Sequence, residues 1–207
     1  MKGSKNYIFG KILFQEDFRC FKSKETIEFR PGLNVIVGDQ GCGKSSLFYS
    51  ILNWKESKIA MHYDSSLIND FSFLDTESMN PRLENAFKAG GKEYKTIEGY
   101  DSAKLEHFIN KLSKYDEQSH GEVMLPLILA SKSSKEGCKT FFFDEPEAGL
   151  SLRSQNKILK HLKELAKNNQ VFIATHSLII IQQTKEVLSL EHKKWMTSKE
   201  FIKSQKN

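Results

Sequence analysis

The sequence predicts an α/β fold with a mostly parallel central sheet and helices on both faces, and two observations support this. From residue 119 onward, strand-like apolar runs alternate with helical patterns, in the order GEVMLPLILAS, KTFFF, SLRSQNKILKHLKELAKNN and VFIA. This alternation is typical of a parallel sheet whose strands are joined by helices. Earlier in the chain, LNVIV leads into a glycine-rich loop and then a helical pattern, which is the order of a phosphate-binding loop.

The elements before this region are short. YIFGKILFQEDF, TIEF and RPGLNVIV predict strands, the first of them antiparallel, and Pro31 and Gly32 form the turn before the last. Apolar residues at helical spacing, Leu47, Ile51 and Trp54, predict a helix directly after the glycine loop.

Residues 55–118 have a mixed pattern that includes a strand in FSFL and a helix over 102–114. We therefore expect one domain over residues 1–207, with a small inserted helical or mixed lobe at about 55–118.

The C-terminal part of the chain has two helical patterns that include several basic residues. A helix over 151–168 places apolar residues on one stripe and four lysines elsewhere, and a last helix begins near Thr197. These lysines, Lys157, Lys160, Lys163 and Lys167, are most simply a solvated face, with nucleic-acid contact as the alternative.

Composition indicates an intracellular protein, and we expect it in the cytoplasm. Its 207 residues are 39% hydrophobic and carry a formal charge of +5, which permits nucleic-acid contact without requiring it. The three cysteines form no CxxC pair, which favours a reducing compartment. The N-terminus lacks a signal-peptide pattern, and the apolar runs are too short to cross a bilayer, so we expect no membrane insertion.

The glycine loop satisfies the phosphate-loop pattern GxxxxGK[ST] at Gly38, Gly43, Lys44 and Ser45. Backbone N–H groups of residues 40–45 can point at an anion, and the helix after them adds its positive N-terminal end. We expect Lys44 to reach the β- and γ-phosphates and the Ser45 hydroxyl to bind Mg²⁺. The predicted nucleotide-binding residues of this loop are Gly38, Asp39, Gln40, Gly41, Cys42, Gly43, Lys44, Ser45 and Ser46.

Two more candidates follow apolar strands. After TFFF, Asp144 would hold Mg²⁺ through water, and Glu145 would act as general base for the attacking water. The alternative is a simple turn after the strand. After VFIA, His176 lies where it can donate a hydrogen bond to the γ-phosphate, because ligands of parallel sheets bind beyond the carboxyl ends of the strands.

In this order, the three elements resemble the ATP-binding cassette class of ATPases. The class carries a signature motif before the catalytic strand, and QSHGE is similar to it through Ser119, Gly121 and Glu122. Its form resembles that of soluble ABC-type ATPases of the SMC, RecF and OLD kind and of small relatives often labelled AAA-family. The resemblance implies a P-loop fold of ABC-ATPase type that binds and hydrolyses ATP with Mg²⁺.

The resemblance also implies a head-to-tail homodimer on ATP binding. Ser119 and Gly121 of one copy would close over ATP held by Lys44 of the other. EAGLS, residues 147–151, matches the loop that crosses between the two sites in this class, although Ser151 could equally be the N-cap of the helix after it.

Three features depart from the family pattern. The family has a glutamine near the segment that corresponds to FSFLDTESMNPR, and this chain has none there. Glu77 is the candidate to take its place at the metal site, and the alternative is that Glu77 is only a turn residue. Pro126 lies inside the signature helix. The third departure is that no single aromatic residue can be assigned to contact adenine, and Phe18, Phe21 and Tyr7 all stay open for this role.

Arg19, in contrast, resembles a basic residue that some members place near the nucleotide.

These features predict a nucleotide-driven switch or motor, since ATP bound between subunits would stabilise the closed dimer and hydrolysis would release it. The contexts that the resemblance suggests are DNA repair and defence against phage, with a separately encoded nuclease or toxin as effector and DNA as a possible partner. The alternatives are a nucleotide-binding subunit of a membrane transporter and an ATP-gated interaction protein with negligible hydrolysis.

Overall fold

The computed structural model describes residues 9–53, 57–63, 71–75, 120–132 and 138–206. These residues form nine strands and five helices. In chain order they are β1 Phe9–Phe14, β2 Thr26–Glu28, β3 Leu33–Val37, α1 Lys44–Leu52, β4 Ile59–Tyr63, β5 Phe71–Asp75, α2 His120–Ala130, β6 Thr140–Asp144, α3 Leu152–Leu165, β7 Gln170–Ala174, α4 Leu178–Gln182, β8 Glu186–Ser189, β9 Lys194–Thr197 and α5 Ser198–Ser204.

Six strands form the central sheet in the order β5-β6-β7-β3-β8-β9, and every pair except β8-β9 is parallel. This confirms the predicted mostly parallel sheet. The antiparallel edge strand β9 was not predicted from the sequence, because its short segment KWMT is only partly buried and shows no clear apolar alternation.

A second sheet contains β2, β1 and β4, all antiparallel, which confirms the predicted N-terminal antiparallel strands. Its third strand, β4, comes from the predicted lobe at 55–118, and β5 from the same region pairs with β6 in the central sheet. The rest of the predicted lobe, including the helix at 102–114, lies outside the described residues.

Apolar side chains cover both faces of the central sheet, as the phenylalanine run of β6 predicts. Phe142 lies on the face that α1 and the N-terminal sheet cover, where its ring stacks on Phe172 with centroids 4.8 Å apart. Phe141 and Phe143 lie on the other face, among side chains of α2, α3, α4 and α5. Because side chains alternate along a strand, a slip of one residue would exchange these two sets.

One buried amide joins the two sheets. Gln170, at the start of β7, accepts a hydrogen bond from the Phe9 backbone N–H at 2.8 Å and donates to the Phe9 carbonyl at 2.7 Å. It also donates to the Arg30 carbonyl at 3.1 Å. Leaving such buried backbone groups unpaired would cost about 1–3 kcal/mol each.

The helix starts follow their capping residues. The Ser151 hydroxyl caps α3, and Thr197 with Glu200 forms a capping box at α5, at the position predicted for the last helix. Among the helices of the described ranges, none has the length and apolar content that a bilayer crossing requires.

Candidate nucleotide-binding site

The glycine loop connects the end of β3 to the start of α1. Gly43 has φ +105°, in the region that favours glycine, and a side chain at this position would overlap the Cys20 Sγ atom. The backbone conformation therefore favours glycine here, and any larger residue would also displace the Cys20 side chain. The structure thus places the predicted loop between strand and helix, where N–H groups at the start of α1 are free of helical partners.

Lys44 is buried, and its ammonium group lies against the loop. The Nζ atom donates hydrogen bonds to the carbonyls of Gly38 at 3.0 Å and Asp39 at 3.1 Å. These contacts keep the positive charge inside the curve of the loop, where an anion would bind.

The first part of the loop is held from outside by Glu191, which the sequence analysis did not identify. Its Oε1 atom accepts the Asp39 backbone N–H at 2.7 Å, and its Oε2 atom accepts the Gln205 side chain at 3.0 Å, just beyond the C-terminus of α5. Partial burial alone would raise the pKa of Glu191, but these hydrogen bonds outweigh it and hold the pKa below its ordinary value. No local pattern could have shown this contact, because the two partners lie 152 positions apart.

Arg19, which the resemblance places near the nucleotide, contacts the end of the glycine loop. Its Nη1 atom donates to the Ser46 hydroxyl at 3.1 Å, and its guanidinium lies 4.7 Å from the centroid of the Tyr49 ring. Phe18 stacks on Tyr49 with centroids 6.1 Å apart. Phe21 is buried against Phe14, which leaves it no surface for a base.

The acidic pair follows β6 at the same edge of the sheet. Asp144 is buried at the end of β6, opposite Ala174 of β7, and Ala174 lies opposite Ile36 of β3. Strand β7 thus lies between the strand of the glycine loop and the strand of the acidic pair.

Glu145 and His176 are brought together by this arrangement. Glu145 has φ +48°, a backbone conformation that costs a non-glycine residue about 1–2 kcal/mol. Its N–H donates to the Ala174 carbonyl at 2.9 Å, and its Oε1 atom lies 3.6 Å from His176 Nε2. Such strain at a polar edge of a sheet is typical of functional positions.

Glu147 is a further residue that the sequence analysis did not single out. Its Oε1 atom accepts three hydrogen bonds, from Thr175 Oγ1 at 2.5 Å, His176 N at 2.9 Å and Ser177 N at 3.0 Å. Its Oε2 atom is closed to solvent and has no hydrogen-bond partner among the described residues. Burial raises the pKa of Glu147 above its ordinary value, although these hydrogen bonds oppose the shift.

Two predicted site residues, Ser119 and Glu77, lie outside the described residues. Gly121 and Glu122 lie in the first turn of α2, which begins at His120, and Pro126 lies inside this helix.

Asp144 and Ser45 have the donor chemistry that Mg²⁺ prefers. Within the described ranges, no cluster of three His, Cys, Asp or Glu side chains could hold a metal ion alone. Mg²⁺ does not need one, since it keeps several waters and binds one or two protein oxygens together with substrate phosphates. Helix α1 packs on β6 through Phe48 and Phe142, with centroids 5.3 Å apart, so both oxygens belong to elements in direct contact.

Comparison with known proteins agrees with the fold. The AAA domain family matches residues 15–206, and the chain belongs to that family. A solved ATP-binding cassette of an ABC transporter, in its ADP conformation, superposes with a TM-score of 0.54 at 19% identity, covering 93% of this chain and 88% of that one. The predicted P-loop fold of ABC-ATPase type is thereby confirmed.

Two curated relatives match part of the chain. The chromosome partition protein Smc of Halobacteriovorax marinus is 30% identical over 107 residues, which is 52% of this chain and 8% of that protein. The DNA repair protein RecN of Aquifex aeolicus is 31% identical over 96 residues, 46% of this chain and 15% of that protein. The chain thus spans only a small part of the length of these relatives.

The raised pKa of Glu147 predicts a pH-dependent stability difference for Glu147→Gln. The folded state favours the protonated carboxyl, so this group contributes stability that is fully present below its ordinary pKa of 4.5 and lost as pH rises through the raised pKa. Glutamine is neutral throughout, so the melting temperature of the variant relative to wild type should be higher at pH 8 than at pH 4.5. The control Glu164→Gln, exposed on α3, should show no such increase. An equal difference at both pH values would contradict the burial of this carboxyl.

Proposed function

We propose that this chain binds ATP and hydrolyses it with Mg²⁺ at the edge of the central sheet. The observation that carries the proposal is that the Lys44 loop, Asp144, Glu145 and His176 meet at one edge of the sheet. Glu145 Oε1 and His176 Nε2 are 3.6 Å apart there. Ligands of open parallel sheets bind at this edge.

The glycine loop accounts for binding. Backbone N–H groups of residues 40–45, including those at the N-terminus of α1, would donate hydrogen bonds to phosphate oxygens. Lys44 would exchange its two carbonyl contacts for the β- and γ-phosphates, at little cost because its ammonium already lies within the loop. Ser45 and Asp144 would hold Mg²⁺, which neutralises phosphate charge during transfer.

Glu145 and His176, which follow strands β6 and β7, account for the hydrolysis step. Glu145 would orient the attacking water and accept its proton as the oxygen attacks the γ-phosphorus, and ADP would leave. His176 would donate a hydrogen bond to the γ-phosphate from the neighbouring strand. The strained backbone of Glu145 directs its carboxylate toward that imidazole.

Glu145→Gln tests the proposed base. The amide keeps the shape of the side chain but cannot accept the proton, so we expect ATP binding near wild type and turnover lower by about a hundredfold or more. Steady-state hydrolysis and equilibrium binding of a fluorescent ATP analogue measure the two quantities. Glu164→Gln is the matched control and should hydrolyse ATP at the wild-type rate. Unchanged turnover in Glu145→Gln would remove Glu145 from this role.

The proposed active form is a head-to-tail homodimer in which the signature motif of one copy, Ser119 and Gly121, covers ATP held by the other. Two exposed leucines support an interface near the site. Leu152 follows the 147–151 loop and is 69% exposed, and Leu178 follows the His176 segment and is 52% exposed. A second copy that covered this edge would remove both side chains from water, which would favour the dimer.

ATP should therefore drive dimer formation. Glu145→Gln should elute as a dimer in size-exclusion chromatography with ATP and Mg²⁺, and as a monomer with ADP, because uncleaved ATP holds the copies together. In the Glu145→Gln background, a second substitution Leu152→Glu should weaken the dimer. Lys157→Glu in the same background should not, and Lys157 is exposed on the same helix. A monomer at all ATP concentrations would refute the composite site.

A role on DNA is the proposed biological context, either in repair or in defence against phage with a separately encoded nuclease or toxin. Two curated relatives are named for chromosome partition and DNA repair. Helices α3 and α5 flank α4 on one side of the sheet. Exposed lysines on these two helices and in the turn after α3 supply positive charge for phosphate contacts, and they are Lys157, Lys160, Lys163, Lys167, Lys199 and Lys203.

DNA should raise the ATPase rate at low salt, and the increase should disappear as salt rises. Glu substitutions of both Lys157 and Lys160 should reduce this stimulation without changing the basal rate. Lys24→Glu, in the turn before β2, is the matched control. No response to single- or double-stranded DNA would favour a protein partner, including the membrane subunit of a transporter.

A further inference from the structure

Three hydrogen bonds between the segments that carry Glu145 and His176 meet at one side-chain oxygen, Glu147 Oε1. We propose that Glu147 is a positioning residue, whose Oε1 atom holds the His176 segment at the distance from Glu145 that hydrolysis requires. This inference rests on the proposed function of Glu145 and His176.

The three donors of Glu147 come from three consecutive residues. The Thr175 hydroxyl and the backbone N–H groups of His176 and Ser177 all point at the same oxygen. Successive N–H groups converge on one anion only when the backbone is tightly curved. The carboxyl group of Glu147 therefore specifies the path of the chain on which His176 stands.

A second set of contacts closes this arrangement. The Ser177 hydroxyl donates to Gln155 Oε1 at 2.7 Å, and Gln155 Nε2 donates to the Leu150 carbonyl at 3.0 Å. On the other side, the Glu145 N–H donates to the Ala174 carbonyl at 2.9 Å. The turn that contains Glu145 and Glu147 is thus tied to residues 174–177 at both ends.

Glu147 cannot itself act on a substrate in this arrangement. Its Oε1 atom is occupied by three donors, and its Oε2 atom is closed to solvent. Any contribution to turnover must pass through the residues that it holds. The nearest of these with a catalytic side chain is His176, whose backbone N–H is one of the three donors.

The experiment compares Glu147→Ala with Glu147→Gln, alone and combined with His176→Ala. Alanine removes the acceptor, whereas the glutamine oxygen can accept the same three hydrogen bonds. We expect kcat to fall at least tenfold in Glu147→Ala and to stay within about threefold of wild type in Glu147→Gln. KM for ATP should change less than about twofold in both, because the glycine loop is unaltered.

The double variant tests whether Glu147 acts through His176. If it does, Glu147→Ala should cause no further loss of turnover in the His176→Ala background. A fully additive loss, or an equal loss in Glu147→Ala and Glu147→Gln, would overturn the proposal.

Amide hydrogen exchange over residues 175–179 provides a readout independent of catalysis. Exchange of the His176 amide should be faster in Glu147→Ala than in wild type and unchanged in Glu147→Gln, since only alanine removes its acceptor. The Ser177 amide is a weaker reporter, because it also donates to the Thr175 hydroxyl at 2.9 Å. Thr175→Val has nearly the same shape but removes one donor to Glu147 and also one acceptor of the Ser177 amide, so only the His176 amide is compared in it. Exchange of the His176 amide should speed up by a smaller factor than in Glu147→Ala, and this decides the question if Glu147→Ala does not fold. Unchanged exchange in Glu147→Ala or, where that variant does not fold, in Thr175→Val would refute the positioning role. Wild-type turnover in His176→Ala would instead refute the proposed function of His176.

Discussion

The register of three parallel strands is the constraint on which the rest of this structure depends. Ile36, Ala174 and Asp144 lie opposite one another on β3, β7 and β6, so the three chains leave the sheet at one edge. Burial on both faces holds this register, because a shift of one residue would move Phe142 from one core to the other. The polar residues beyond the strands are then close in space although they are distant in sequence.

At this edge, unfavourable local features are offset by hydrogen bonds between segments. Glu145 adopts a left-handed conformation and Glu147 buries a carboxyl group, and each alone would destabilise the fold. The N–H of Glu145 is satisfied by the β7 strand, and Glu147 is satisfied at one oxygen by residues 175–177. In this arrangement the side chains of Glu145 and His176 are half-exposed, and Glu145 Oε1 lies 3.6 Å from His176 Nε2.

The fold of this chain shows its family, whereas its exposed side chains bear on which partners it could contact. Its family and its central sheet are common to proteins with different outputs, because a nucleotide site of this kind can drive many partners. On its surface, this chain carries exposed lysines on α3 and α5 and the exposed Leu152 and Leu178. Surface side chains of this kind can change without disturbing the strand register, so one central sheet is compatible with different partners.

The sequence by itself determined what depends on neighbouring residues: the loop from Gly38 to Lys44, the acidic pair after TFFF, and His176 after VFIA. Glycine spacing and short apolar runs are local patterns, so they can be read without a structure. Only the tertiary structure showed that Glu191 holds the loop and that Glu147 holds the His176 segment. In each case one carboxylate satisfies backbone groups far along the chain, and such pairing arises only when the strands are assembled side by side.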